Sequence, residues 1–140
     1  MLSGALEAPK DKEAAYREAF PAMLRLLKAL HDAGVTIIPG TDALAGYMLH
    51  HELELYARAG IPRAEVLRMA TLTPALVMGV NKDGGVIAAG KLADMILIDG
   101  DPTKDIRDLD KVTTVIKAGN IYDPAAIEKA LGIAPRKTGP

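Results

Sequence analysis

The feature that most constrains the fold is a change of period at Gly34. Over residues 11–33, Tyr16, Phe20, Met23, Leu27 and Leu30 recur at spacings of three and four, with Arg17, Glu18, Arg25 and Lys28 between them. That is the stripe of an amphipathic helix facing a core. Pro21 interrupts the stripe and predicts the start of the main helical segment, because proline is tolerated in a first turn and costly later. Gly34 ends the helix. Residues 35–38, Val-Thr-Ile-Ile, are a short β-branched run that suits a parallel strand covered on both faces. Helix, tight turn and buried strand in that order define an α/β chain.

The strand leads straight into Pro39-Gly40-Thr41-Asp42. In barrels of alternating strands and helices, residues at the C-terminal ends of strands line the mouth where chemistry occurs. Asp42 follows such a strand. Gly-Thr-Asp alone equally suits an aspartate that caps the next helix or closes a turn on its own backbone.

Helices are predicted at about residues 48–59, closed by Gly60, and from about Pro62 onward. Thr73-Pro74 reads as an N-cap with proline at the first helical position, opening a short helix that stops at Gly79. Beyond residue 80 the character changes. Asp83-Gly84 and Gly90-Lys91 are turn signals around Val86-Ile87, and residues 93–99, 112–117 and 121–122 read as strands. A short helix at 125–131 and a fraying tail close the chain. The boundaries expected are 1–80 for the α/β part, 81–123 for the β layer, and 124–140 for the helix and tail.

Composition bounds the function. With 49% hydrophobic and 25% charged residues and a net charge of -1, the chain lacks the basic excess that nucleic acid or anionic membranes attract. It has no cysteine, so disulfides and thiolate metal sites are excluded. No apolar run approaches the roughly 18 to 20 residues of a membrane span, and the N-terminus does not look like a signal peptide. A cytoplasmic location is the expectation.

Taken together, Gly40-Thr41-Asp42-Ala43, His50-His51-Glu52-Leu53-Glu54-Leu55, Ala59-Gly60-Ile61, Glu65-Val66-Leu67, Ala70-Thr71, Gly85-Val86-Ile87, Gly90-Lys91, Ala93-Asp94 and Asp101-Pro102 stand in one order. This order resembles the C-terminal portion of the amidohydrolase superfamily, in its imidazolonepropionase-like and Xaa-Pro dipeptidase-like branch. The likeness runs from about Phe20 to Tyr122. It implies the C-terminal part of a (β/α)8 barrel plus strands of a small β-sandwich, with Asp42 at the end of the eighth barrel strand. It also implies a divalent metal, usually zinc, with Asp42 as ligand and proton carrier, hydrolysing a C–N bond of a small-molecule or peptide substrate.

A full site of that family also draws on a His-x-His pair and further histidines from earlier strands. This chain has only His31, His50 and His51, and His-His-Glu-Leu is not the His-Glu-x-x-His of zinc proteases. His31 precedes the strand, so about five residues of strand, ~17 Å, would separate it from Asp42, against a zinc–ligand bond of about 2 Å. It reads as a residue compensating a helix end. His50 lies on the mouth side and is the candidate substrate contact, or a hydrogen-bond partner of the loop; His51 is expected to be exposed. Lys91 and Asp94 read as turn-forming, with Asp94 bonding turn amides. The acidic run 99–110 reads as a solvated loop, and Gly84-Gly85 as a turn. The rival function is a non-catalytic interaction domain derived from the same scaffold, whose bare apolar flanks would favour self-association or a complementing N-terminal barrel chain.

Overall fold

The computed structural model describes residues 11–41 and 48–133. The tail beyond them, and with it the expectation of fraying, lies outside the described residues, as does Asp42. Four helices come first: α1 (Glu13–Asp32), α2 (Leu49–Arg58), α3 (Arg63–Ala70) and α4 (Leu72–Val77). Strands β1 (Met95–Ile98), β2 (Val112–Lys117) and β3 (Asn120–Tyr122) follow, with a 3₁₀ helix at Ile106–Asp110 between the first two, and α5 (Pro124–Ala130) closes the order.

Helix α1 differs from its sequence reading in two ways. It runs unbroken through Pro21, which starts no new segment. The ring costs the helix the hydrogen bond to the carbonyl of Arg17, a loss a twenty-residue helix can absorb. Its apolar stripe is also uncovered: Tyr16, Phe20, Met23 and Leu30 are exposed, and only Leu27 packs against the core. The Arg58 guanidinium lies 5.3 Å from the centre of the Phe20 ring, a cation–π contact that joins α1 to α2.

Residues 35–41 form no ladder among the described residues. The expected strand at 35–38 has no strand partner among the described residues, and Val35 and Ile38 are exposed. β-branched residues favour an extended backbone, but a strand is completed only by a neighbour that takes its N–H and C=O groups. Val86 and Ile87, between their two turn signals, join no sheet among the described residues.

The core sits between α2, α3 and the 3₁₀ helix. Leu53, Tyr56, Ile61, Val66 and Met69 cluster with Ile106 and Leu109, and Val66 is fully buried. Burying each such aliphatic side chain contributes about 1.5–3 kcal/mol. The acidic run therefore is not simply a solvated loop. Its aspartates are pinned by backbone bonds: Asp101 N–H donates to Asp108 Oδ2 at 2.7 Å, Thr103 N–H to Asp101 Oδ1 at 3.0 Å, and Arg107 N–H to Asp105 Oδ1 at 3.1 Å. Those bonds turn Ile106 and Leu109 inward.

The α3–α4 junction also shifts. Thr71, not Thr73, is the N-cap of α4, and Pro74 falls in its first turn, where a missing N–H is still harmless. Thr71 Oγ1 instead donates to the carbonyl of Leu67 at 2.8 Å. Gly85, with φ +88, crosses α4 so closely that an added Cβ would lie 2.7 Å from the Ala75 Cβ.

The three strands form one antiparallel sheet in the order β1-β2-β3. Met95, Ile116 and Ile121 stand in register on one face, and Ile96, Val115 and Tyr122 on the other. Both faces are apolar, and Ile121 is 76% exposed. The β2–β3 turn puts Ala118 and Gly119 at positive φ, the two-residue form that matches strand twist. Asp94 has the structural role expected of it: its Oδ1 accepts from the Ala118 N–H at 2.7 Å, and its Oδ2 pairs with Lys117. Lys91 caps the carbonyls of Asn81 and Lys82.

Candidate functional site

The site is built at the start of α2. Residues 35–41 leave α1 through the turn at Gly34, where the Val35 N–H donates to the carbonyl of Leu30 at 3.0 Å. Ile37 packs on the core cluster. At the other end the Gly40 N–H donates to Glu52 Oε1 at 3.1 Å, bridging twelve residues. Asp42 follows two positions later in the sequence.

Glu52 accepts a second bond from the Tyr56 hydroxyl at 2.8 Å. The pair stands at the i,i+4 spacing that brings side chains together on one helix face. Tyr56 is buried against Leu53, and burial, helped by the Glu52 carboxylate, pushes its phenol well above the ordinary tyrosine range. It stays a neutral donor.

His50 lies in the first turn of α2, and its Nδ1 is 3.0 Å from Asp110 Oδ1, at the end of the 3₁₀ helix. The side chain is about three-quarters covered, with 23% of its surface exposed. His50 therefore joins α2 to the second half of the chain. His51 is exposed beside Glu54, as expected. His31 is partly covered, with Nδ1 3.2 Å from Asp32 Oδ1, and lines a cleft of about 370 Å³ with Thr36, Glu65, Arg68 and Thr73.

Glu52, Tyr56 and Asp110 were not singled out from sequence. The Glu52–Tyr56 spacing was the available signal for the first two; nothing local marks Asp110, sixty residues from its partner.

An aspartate carboxylate is a fitting oxygen donor for a divalent cation. Among the described residues, no group of three or more His, Cys, Asp or Glu side chains is placed to hold one. Among the same residues no helix is long and apolar enough to cross a membrane.

The sequence profile of the amidohydrolase family matches residues 20–122, from α1 through β3. The chain belongs to the amidohydrolase family. It is 35% identical over 85 residues to the adenine deaminase of Serratia proteamaculans (strain 568), covering 56% of this chain and 14% of that protein. Its fold superposes on a crystal structure of a Xaa-Pro dipeptidase with bound methionine in the active site, with TM-score 0.66 and 31% identity over 74% of this chain and 25% of that one. It also superposes on A. niger ochratoxinase, with TM-score 0.69 and 28% identity over 84% of this chain and 28% of that one. The chain thus spans between about a seventh and three-tenths of the length of these relatives.

Proposed function

We propose that the chain supplies the C-terminal part of a metal-dependent hydrolase that cleaves the C–N bond of an amide, peptide or cyclic amide. The observation that carries this reading is the family match, which spans Gly40-Thr41-Asp42 and both halves of the chain. Residues 1–80 belong to a (β/α)8 barrel, residues 81–123 to a small β-sandwich, and residues 124–140 form the closing helix and tail. The bare α1 stripe, the run 35–41 that joins no ladder among the described residues, and the two apolar sheet faces support that division, since barrel and sandwich partners would cover them.

Asp42 is the metal ligand and proton carrier of this proposal. A divalent ion, zinc by family resemblance, would be held by Asp42 together with ligands from further barrel strands, and would supply a water whose pKa is lowered towards about 7. Asp42 takes a proton from the attacking water and delivers it to the leaving amine, whose departure needs that proton. The three histidines cannot complete the ligand set, so activity requires further barrel strands carrying the other ligands. His50 is the proposed substrate contact, and the substrate is a small molecule or peptide. A cytoplasmic location belongs to the same reading.

A second reading is favoured by one observation. The exposed row Tyr16, Phe20, Met23 and Leu30 is suited to a partner whatever the chemistry, so a non-catalytic interaction domain, associating with itself or with an N-terminal barrel chain, is the alternative. Zinc calorimetry on the 140-residue chain, native and Asp42→Ala, tests the requirement for further ligands. No tight binding by either protein is expected. Tight binding lost in Asp42→Ala would show a site built by this chain unaided.

A further inference from the structure

Residues 35–41 run without a ladder among the described residues, yet they are tied at three points. The Val35 N–H bonds to α1, the Ile37 side chain packs on the core, and the Gly40 N–H bonds to Glu52 Oε1. The last tie is the one nearest Asp42 in the sequence. Its acceptor does not swing freely, because the hydroxyl of Tyr56, 8% exposed and held in the core cluster, donates to the same oxygen. Core, Tyr56, Glu52 and Gly40 therefore form a continuous chain of contacts that ends two residues before Asp42.

We propose that Glu52 is a positioning residue for the Asp42 segment, with Tyr56 fixing its carboxylate. This rests on Asp42 being the reactive carboxylate. The physical case is one of precision: a reacting group misplaced by about 1 Å can cost about 100-fold in rate, so a segment that leads to one without a ladder to hold it needs its backbone tied. A charged acceptor holds a backbone N–H more strongly than a neutral one, and an acceptor locked by a second donor loses less freedom in doing so. Alanine at position 52 removes the tie; glutamine keeps an oxygen that can accept from Gly40.

The test is amide hydrogen exchange, residue by residue, on the 140-residue chain with Glu52→Ala, Glu52→Gln and Tyr56→Phe, reading Gly40 against Val66. The Val66 N–H bonds to the Pro62 carbonyl in the core and reports global opening. In Glu52→Ala, exchange at Gly40 is expected to rise about tenfold or more while Val66 stays near native. Glu52→Gln should recover most of the Gly40 protection, and Tyr56→Phe should lose part of it. Gly40 exchange unchanged in Glu52→Ala, or rising only in step with Val66, would overturn the proposal. None of these readings involves a metal or turnover, so a failure of Asp42 as metal ligand would show separately, as hydrolysis indifferent to Asp42→Ala.

Discussion

His50 Nδ1 meets Asp110 Oδ1 at 3.0 Å, joining the first turn of α2 to the end of the 3₁₀ helix across sixty residues of sequence. The bond lies beside the packing of Leu53 and Tyr56 on Ile106 and Leu109, so it fastens the same seam that the core fills. A hydrogen bond of this kind contributes about 0.5–1.5 kcal/mol net. His50→Ala and Asp110→Ala should each lower stability by about that amount, and the double variant should lose less than their sum. Denaturant titration of all four proteins measures the coupling; additive losses would separate the two side chains.

The core seam itself should be far more sensitive. Ile106→Ala removes a side chain that is 6% exposed and leaves a hole between the acidic run and α2. A loss of about 2–5 kcal/mol is expected. Lys104→Ala, on an exposed side chain in the same run, should change stability by less than about 0.5 kcal/mol. Equal effects from the two variants would show that the run is a surface loop.

Gly85 allows no side chain. At φ +88 it occupies backbone space that L-residues rarely adopt, and a Cβ there would meet Ala75 Cβ at 2.7 Å and Leu72 Cα at 3.2 Å. Gly85→Ala should cost about 2–4 kcal/mol, from backbone strain plus overpacking against α4. Gly90→Ala is the control: it has a similar φ, +85, but open space around the added carbon. It should cost only the strain, about 1–2 kcal/mol. A thermal melt of each variant distinguishes clash from conformation.

Acid should loosen the 3₁₀ segment before the helices. Thr103 and Lys104 hold the Asp101 carboxyl at about 2, and Arg107 holds that of Asp105 at about 2, both below the ordinary value of 3.8. Lys111 and the Asp101 N–H lower that of Asp108. Because the folded values are depressed, the stabilisation is full above about pH 4 and fades as pH falls towards about 2. Protection of the Asp101, Thr103 and Arg107 amides, taken as exchange relative to the free-peptide rate at each pH from 5 to about 2, should fall first there. A uniform loss of protection across α2 and α3 would contradict this.

Most helix ends are legible because they carry their own punctuation. Gly34, Gly60 and Gly79 close α1, α2 and α4 at positive φ, and Asp123-Pro124 opens α5 with a side-chain cap. Strand β2 matches its predicted span because five of its six residues, Val-Thr-Thr-Val-Ile, are β-branched. The run 35–38 reads as a buried strand because β-branched composition records what a segment fits, whereas ladder and burial depend on neighbours that composition does not contain. The acidic run misled for the opposite reason. Charge density marks it as solvent-facing, yet Asp101, Asp105 and Asp108 spend their oxygens on backbone N–H groups and turn two apolar side chains inward. Asp42 was marked by position and family likeness, and Glu52, which reaches back to Gly40, only by its spacing from Tyr56.

The role of Asp42 is measured most directly by hydrolysis in a chimera in which this chain replaces the corresponding C-terminal segment of a Xaa-Pro dipeptidase of the family, assayed on an Xaa-Pro dipeptide with zinc supplied. Turnover is expected that a chelator abolishes and that Asp42→Ala reduces by about 100-fold or more. Undiminished turnover in a folded Asp42→Ala chimera would contradict it.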